Sequence, residues 1–555
     1  MKRFISIIAA GVLLALTAAD ATAASRKSKN ELAQNLHTFN SIVKLLHTEY
    51  VDTLDSRKVM REAISALLRQ ADPFTEYFPV DEQDALLSIS SGQYAGIGSV
   101  IMSRNGRIII EQPQWDSPSR KAGLKAGDVI LTVDGDTVSS GASVQDVSKR
   151  LRGQAGTEVV VGVRRPYVSD SLLSFRIVRD DIKVEPVPYY GVDSSGVGYI
   201  SLTTFNESSA RRVKEALAEM QKNPRFKGLV LDLRDNGGGL LESAVQIAGL
   251  FVPKGTEIVR TRGRDDKMMK IYKTTHKPVA PDLPLAILID EGTASSSEIV
   301  SGALQDLDRA VVIGERSYGK GLVQNTRPLP FGDILKITTA RYYIPSGRLI
   351  QAIDYSHRDA EGRVTRIPDS LTTEFRTAAG RIVRDGGGIT PDVKYTPKEP
   401  ARIVYAIAMS NSVFDYATKF VAATDSVAAP LDFRIDESML ADFKNSIDAD
   451  KLQYDEYYRT GIKYMREAAE RDGYMTDSLS ARFDALEAGL RSDFSRDFDK
   501  NRDEIEQLLI NEILPRYYAP AEYMKLTPVH DEEVRLAAEI LLDPERYAKL
   551  LSPEK

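Results

Sequence analysis

Between Val197 and Gly314 the sequence alternates short apolar strand patterns with amphipathic helix patterns, and this alternation limits the possible folds more than any other feature. Strands that alternate with helices predict βαβ units and a largely parallel sheet. The predicted strands are 197–203, 228–233, 285–289 and 310–314, and the predicted helices are 208–220, 240–251 and a segment that begins near 295. Functional loops of such sheets lie at the carboxyl ends of the strands.

A glycine-rich segment, Arg234 to Gly239, follows one predicted strand end and precedes helix 240–251. Glycines before a helix can cradle a phosphate, but neither the Walker spacing nor G-x-G-x-x-G is present. Backbone N–H groups of this loop suit an oxyanion equally well.

Ser295 lies after the predicted strand 285–289, at the start of a helical pattern. Backbone N–H groups are unpaired at a helix N-terminus, and the helix dipole favours negative charge there, so a serine oxygen or an oxyanion would be stabilised. Serine is also a common N-cap, and Glu298 three residues later completes a capping-box pattern. Both interpretations stay open on these residues alone, and Ser296 or Ser297 offers an alternative cap.

A serine nucleophile needs a general base, and none of the five histidines lies in a motif-like position. Lysine can serve instead when burial or nearby positive charge keeps it neutral. Lys320 lies between two glycines that allow close approach to another loop, and Gln324 falls on the same face, where it could orient the amine. The alternative is a surface lysine in a flexible loop.

Composition and the first residues bear on partners and location. The net charge of -6 and a pI near 5.7 argue against a nucleic-acid partner. The chain has no cysteine, which excludes a disulfide framework, a thiol nucleophile and a lipid-bearing cysteine. The first residues are typical of a secretory signal peptide, with Met1-Lys2-Arg3, then an apolar run to Ala19 and then Ala21-Thr22-Ala23. The apolar run is shorter than the roughly 20 residues that a membrane-spanning helix needs. We expect export to the periplasm or cell envelope of a Gram-negative bacterium, as a soluble protein after removal of residues 1–23.

Two regions precede the α/β pattern. Residues 24–90 show apolar spacings of three and four and predict a small helical region, whereas 91–182 show short β patterns and one amphipathic helix, 143–151. Within the second region, Tyr94-Ala95-Gly96-Ile97-Gly98-Ser99-Val100 and Ala122 to Leu131 resemble a bacterial PDZ domain. This resemblance implies a peptide-binding site of Tyr94, Gly96, Ile97 and Gly98, in which the backbone N–H groups at Gly96 to Gly98 receive a chain-terminal carboxylate while the peptide adds as a strand.

Larger motifs of the chain resemble the C-terminal processing peptidases, also called tail-specific proteases. The resemblance covers roughly Asn30 to Lys398 and is carried by Gly292 to Ile299, Leu304 to Asp306, Gly319-Lys320-Gly321 with Gln324, and Leu233 to Gly239. It implies a crotonase/caseinolytic-protease-like core, Ser295 as nucleophile, Lys320 as general base, and Gln324 or Glu298 as the third member. It also implies oxyanion donors at the Ser296 amide and in the Gly237 to Gly238 region. Ser296 departs from the family, in which alanine is usual at this position.

The predicted fold class is α+β with several domains. In order these are the signal peptide 1–23, an N-terminal helical region 24–90, a PDZ domain 91–182, a serine protease core 183–400 with a polar insertion at about 351–384, and a C-terminal helical domain 401–555. The last domain keeps apolar three-and-four spacing beneath a charged surface, which favours packing. A dimerisation or adaptor-docking role for it is a hypothesis.

The resemblance implies a serine endopeptidase that recognises a free protein C-terminus and cleaves through an acyl-enzyme, with no metal or cofactor. Because the base must be an uncharged lysine, activity should rise with pH. The alternative is a catalytically inactive PDZ-bearing binding or chaperone module. A crotonase-type acyl-CoA enzyme is disfavoured by the predicted export.

Overall fold

The computed structural model describes residues 30–83, 92–359, 362–452 and 454–553, so the predicted signal peptide lies outside the described residues. The chain divides into two compact units. One comprises the residues up to Tyr77 together with 326–337, and the other comprises 78–325 and 338–555.

The first unit contains the expected N-terminal helices, residues 30–49 and Ser56–Arg69. Asp55 begins the second helix by accepting hydrogen bonds from the amides of Arg57 and Lys58, which satisfies two helix-terminal donors. A short strand, Glu76–Phe78, follows, and the Tyr77 hydroxyl donates to Asp333 Oδ2 at 2.6 Å. The N-terminal helical region is confirmed.

The PDZ domain is a β structure with two short helices, as predicted. Its strands are Gln93–Gly96, Ser99–Arg104, Arg107–Pro113, Val129–Val133, Asp136–Thr137, Glu158–Arg165, Ser169–Val178 and Asp180–Lys183, and its helices are Pro118–Ala122 and Val144–Leu151. Ser99–Arg104 is an edge strand, hydrogen-bonded to Arg107–Pro113 on one side. One apolar core, with Ile110 and Val161 at its centre, lies beneath the sheet.

The α/β core is built on a six-stranded sheet that is parallel except for its first pair. In spatial order its strands are Tyr189–Val192, Val197–Ser201, Gly228–Asp232, Leu285–Ile289, Val311–Gly314 and Val393–Lys394. The central strands are fully buried, which explains their continuous apolar sequence.

Alternate side chains of this sheet pack into two different apolar layers. Leu231 and Ile287 face the helices Ser209–Met220, Leu241–Ala248 and Ser296–Asp306. Val230 and Leu288 face the helix Glu532–Leu542, named here the sheet-covering helix, which comes from the far end of the chain. The last two helices therefore belong to the core of the sheet.

A second antiparallel sheet borders the core, and the polar insertion forms short hairpins. Ile334–Tyr343 pairs with Glu257–Gly263, whose other neighbour is Lys270–Lys273. Leu322–Pro328 pairs with Ile334–Tyr343. The strands of the insertion are Ile353–Asp354, Thr365–Arg366, Glu374–Arg376 and Ile382–Arg384.

The C-terminal region is helical, as predicted. Its helices are Arg402–Met409, Ser412–Ala423, Glu437–Ser446, Glu456–Arg471, Asp477–Gly489, Phe494–Lys500, Arg502–Tyr517, Pro520–Tyr523, Thr527–His530, Glu532–Leu542 and Pro544–Leu550. Phe443, Phe498 and Ile505 lie in one buried core, whereas the hairpin 456–489 is mostly exposed. Among the residues described, none of the helices has the length and apolar character needed to cross a membrane.

The PDZ domain contacts this helical region directly. Arg104 forms an ion pair with Asp415 at 2.8 Å, and Arg120 Nη2 donates to the Arg516 carbonyl at 3.1 Å. A cavity of about 360 Å³ lies at this contact, lined by residues of both domains.

Candidate active site

Three loops at the carboxyl ends of neighbouring parallel strands meet beside Ser295. They are the glycine loop (residues 234–239), the serine turn (290–295) and the lysine loop (315–321). The serine helix, Ser296–Asp306, begins at the serine turn and is buried along its whole length. Ser295 and Lys320 are half-buried, so their side chains remain reachable from solvent.

Ser295 is the N-cap residue of the serine helix and has an unusual backbone conformation. Its φ is 57° and its ψ is -114°, a region that costs non-glycine residues about 1–3 kcal/mol. Such strain persists only where the surroundings hold the backbone in place. Here four side chains hold the turn, those of Ser296, Ser297, Glu298 and Tyr342. Ser296 and Ser297 are the first helical residues, and their hydroxyls donate to the carbonyls of Gly239 and Asn236 at 2.9 and 2.8 Å.

The Glu298 carboxylate fixes the backbones of both predicted reactive residues. Its Oε2 accepts hydrogen bonds from the amides of Ser295 (2.8 Å) and Lys320 (2.9 Å). Its Oε1 accepts from the Ser317 hydroxyl (2.5 Å) and the Gly319 amide (2.7 Å). The side chain is fully buried, and burial raises the pKa of Glu298 to about 7 although the four donated bonds oppose this rise.

The Tyr342 hydroxyl holds the same two residues from their carbonyl side. It lies 3.1 Å from the Ser295 carbonyl oxygen and also donates to the Lys320 carbonyl oxygen. Burial raises the pKa of Tyr342 well above its usual value, so the hydroxyl stays protonated and remains a donor. Glu298 and Tyr342 together clamp the peptide backbones of Ser295 and Lys320.

The glycine loop approaches Ser295 so closely that a side chain at Gly238 would not fit. A Cβ at Gly238, whose φ is +95°, would lie 2.7 Å from the Ala294 carbonyl oxygen and 2.8 Å from the Ser296 nitrogen. Asn236 ties the loop down, because its carbonyl accepts from Ala294 at 3.0 Å and its side-chain amide donates to the Leu202 carbonyl at 2.6 Å.

The predicted oxyanion donors differ in availability. The Gly238 amide donates to the Asn236 side-chain oxygen at 2.9 Å and is therefore occupied. Within the described ranges, the amides of Gly237 and Ser296 donate no hydrogen bond to the protein. These two amides are therefore the ones free to receive an oxyanion.

Gln324 lies in the strand Leu322–Pro328, and its side-chain amide donates to Thr338 Oγ1 at 3.1 Å. Glu298, by contrast, touches the backbones of both Ser295 and Lys320. The geometry thus gives Glu298 the more direct structural role of the two candidates for the third member.

Sequence reasoning missed Tyr342, Ser317 and Asn236. Tyr342 lies in the observed strand Ile334–Tyr343, and neither periodicity nor composition indicates that its hydroxyl reaches a loop 47 positions away. In the sequence, only its position three residues before Lys320 could have identified Ser317 as part of the site. For Asn236, only the adjacent glycines could have done so.

The predicted peptide site of the PDZ domain has an open strand edge and unused amides. Gly98 precedes the edge strand Ser99–Arg104, and within the described chain the amides of Ile97 and Gly98 have no protein acceptor. Gly96 pairs with Asp180, and the Arg152 guanidinium lies 5.3 Å from the centre of the Tyr94 ring. This places a positive charge beside the glycine turn.

No group of three or more His, Asp or Glu side chains is placed to hold a metal ion within the residues that the structure covers.

Comparisons with known proteins identify three regions of the chain. The model of peptidase family S41 matches residues 196–356, the PDZ domain model matches 95–177, and a model described as "Probable PDZ-protease, C-terminal helical domain" matches 403–541.

Relatives extend this similarity over most of their own length. The carboxy-terminal-processing protease of Bartonella bacilliformis is 35% identical over 357 residues, which cover 64% of this chain and 81% of the relative. A "Probable CtpA-like serine protease" of Staphylococcus aureus is 33% identical over 318 residues, covering 57% and 62%. The solved structure of a photosystem II D1 C-terminal processing protease is 28% identical, covers 65% of this chain and 87% of its own, and has a TM-score of 0.36. This chain therefore belongs to the PDZ-containing C-terminal processing proteases of peptidase family S41, and it is a serine-type peptidase.

Proposed function

We propose that this protein is an exported endopeptidase of the cell envelope, which binds the free C-terminus of a protein substrate with its PDZ domain and cleaves through Ser295 and Lys320. Neutral Lys320 takes the Ser295 proton as the hydroxyl oxygen attacks the scissile carbonyl carbon. The amine of the leaving peptide takes that proton when the C–N bond breaks, which leaves an acyl-enzyme. Lys320 then takes a proton from water as the water oxygen attacks the ester carbonyl carbon, and it returns this proton to the Ser295 oxygen when the ester C–O bond breaks, which releases the acid and restores neutral Lys320.

The tetrahedral intermediate carries a negative oxygen that needs donors. The amides of Ser296 and Gly237 suit this oxygen because neither donates within the described chain. Ser296 directly follows Ser295, and Gly237 directly precedes Gly238, at which an added Cβ would lie 2.9 Å from Ser295 Cβ. Since Ser296 contributes through its backbone and its hydroxyl is bonded to Gly239, serine in place of alanine is compatible with this role.

A single observation carries the assignment of the dyad: Glu298 Oε2 accepts from both the Ser295 and the Lys320 amide, at 2.8 and 2.9 Å. Sharing one buried carboxylate oxygen holds the backbones of these two residues, 25 positions apart, at a fixed separation. Fixed separation is what proton transfer between a nucleophile and its base requires.

Recognition of a chain terminus is supported by the PDZ domain. The amides of Ile97 and Gly98, together with nearby Arg152, offer a terminal carboxylate two donors and a positive charge, and the strand Ser99–Arg104 offers an open edge. Export is supported by the predicted signal peptide.

The test is cleavage of an unstructured polypeptide that ends in apolar residues, supplied with either a free or an amidated C-terminus. Wild type is expected to prefer the free terminus, and Ser295→Ala and Lys320→Ala are expected to lose activity by about 10³-fold or more. A serine-reactive acylating probe should label wild type at Ser295. Undiminished turnover of either variant contradicts the dyad, and equal cleavage of the two substrates contradicts carboxylate recognition.

A further inference from the structure

Arg234 opens the glycine loop that carries the Gly237 amide. Its guanidinium binds the Asp232 carboxylate with two parallel hydrogen bonds, from Nε at 3.0 Å and from Nη2 at 2.6 Å. Bidentate pairing of this kind fixes the orientation of an arginine as well as its position. Asp232 is itself held, because it accepts a hydrogen bond from the Tyr199 hydroxyl at 2.7 Å.

Two further carboxylates reach Arg234 from the sheet-covering helix, about 300 positions later in the chain. Asp531 Oδ2 lies 2.9 Å from Nη2, and Glu533 Oε2 lies 2.9 Å from Nη1. Asp531 also caps the helix, since its Oδ1 accepts from the amides of Glu533 and Val534 at 2.9 and 3.1 Å. The start of the sheet-covering helix is thereby tied to the start of the glycine loop.

The buried Glu533 carboxylate is energetically unfavourable at this position. Its side chain is 4% exposed, and its Oε1 has no hydrogen-bond partner within the part of the chain described. Burial raises the pKa of Glu533 to about 7 in spite of the Arg234 charge. A buried carboxylate that is satisfied on one oxygen only destabilises a fold unless its ion pair offsets the cost.

Docking of the helix also has an apolar contribution that is separate from these ion pairs. Val534, Ala537, Ile540 and Leu541 are buried against the sheet, and burial of these aliphatic side chains stabilises the packing. The presence of the Asp531 and Glu533 carboxylates is therefore explained better by their contacts with the Arg234 guanidinium.

We propose that Asp531 and Glu533 are positioning residues of the active site, which act through Arg234 to hold the glycine loop at the distance that the oxyanion needs. This rests on the proposed function, because it assumes that the Gly237 amide stabilises the oxyanion on the Ser295 adduct. Misplacement of a reacting or stabilising group by about 1 Å can cost about 100-fold in rate. The C-terminal helical region thus contributes directly to the chemistry of a loop 300 positions away.

The test compares Asp531→Asn, Glu533→Gln and the double variant with Glu532→Gln in the full chain. Glu532 lies on the same helix and receives the same change, but its carboxylate contacts Tyr395 at 3.2 Å instead of Arg234. We expect kcat to fall about 10- to 100-fold in the first three variants, with KM within about twofold of wild type. Glu532→Gln should match wild type in both constants.

A second readout needs no activity and is made in the Ser295→Ala background. Amide hydrogen exchange in residues 235–240 should accelerate in Glu533→Gln, while exchange in 534–541 stays at the wild-type rate. Unchanged exchange in 235–240 overturns the proposal, and so does faster exchange in 534–541, which would mean that the helix itself has come loose. If wild type is not labelled at Ser295, the proposed function fails, and the exchange experiment still decides whether Glu533 holds the loop.

Discussion

The Tyr342 hydroxyl lies within hydrogen-bonding distance of two backbone carbonyl oxygens, those of Ser295 and Lys320. Its neighbour Tyr343 provides a matched control, because its hydroxyl has no hydrogen bond within the described residues. Tyr342→Phe should lower kcat by about tenfold while KM stays unchanged, since the serine and the lysine lose one of the two groups that fix their separation. The same variant should lose about 1–2 kcal/mol in the free energy of unfolding. Equal kcat values for Tyr342→Phe and Tyr343→Phe would show that the hydroxyl positions nothing.

Glu298 makes stability depend on pH with a definite sign. Its pKa is about 7 in the folded protein against 4.5 for an unperturbed glutamate, so the folded state binds the extra proton more tightly. The contribution of Glu298 to stability is therefore greatest at low pH, and it is lost as pH rises from about 5 through 7.

Comparison with Glu298→Gln isolates this effect. Between pH 5 and 7 the free energy of unfolding of wild type should fall by about 2 kcal/mol relative to the variant. Urea denaturation of both proteins across this pH range measures the difference. Parallel curves would mean that Glu298 ionises near its unperturbed pKa.

The far end of the serine helix is held by buried charged side chains. Asp306 and Arg348 form a fully buried ion pair at 2.9 Å, and Arg348 also donates to the Gln305 side-chain oxygen at 2.7 Å. Arg348→Met should destabilise the protein by about 3–5 kcal/mol, because it leaves the Asp306 charge buried without its partner.

The matched control for this prediction is Arg316→Met, which removes an exposed ion pair with Asp369 at 2.8 Å. An exposed pair contributes about 0–1 kcal/mol, so this variant should unfold close to wild type. Thermal or urea unfolding of the two variants measures the contrast. Similar losses in both would place the anchoring of the serine helix elsewhere.

Element positions were largely predictable because they depend on local periodicity. The strand Leu285–Ile289 was predicted with the observed bounds, and the helix at Ser209–Met220 began one residue later than predicted. The buried strands read as continuous apolar runs, and the turn before Ser295 follows from the change of period. The mostly exposed hairpin 456–489 shows the limit, since its apolar spacing predicts packing but not how little of it is covered.

Contacts between distant parts of the molecule were not predictable from one sequence. Nothing local marks Glu533 as the partner of Arg234 or Tyr342 as the partner of Ser295, because both depend on which helices and strands the fold places side by side. The motif of the glycine loop indicated where an oxyanion would lie, but only the structure distinguishes the occupied Gly238 amide from the Gly237 amide.

The last helices make the whole molecule depend on its C-terminal end. Val534, Ala537, Ile540 and Leu541 cover one face of the six-stranded sheet, and each large aliphatic side chain contributes about 1.5–3 kcal/mol by burial. Together these burial contributions equal a large part of the 5–15 kcal/mol that typically stabilises a domain. A chain that stops before Asp531 should therefore expose the sheet and aggregate.

As the control, replacement of the mostly exposed hairpin 456–489 by a flexible glycine–serine linker removes more residues but little buried apolar surface, and this protein should stay soluble. Soluble yield and sedimentation velocity of the two proteins compare them directly. A monomeric truncated chain with the wild-type unfolding midpoint would mean that the sheet is stable without its second helical layer.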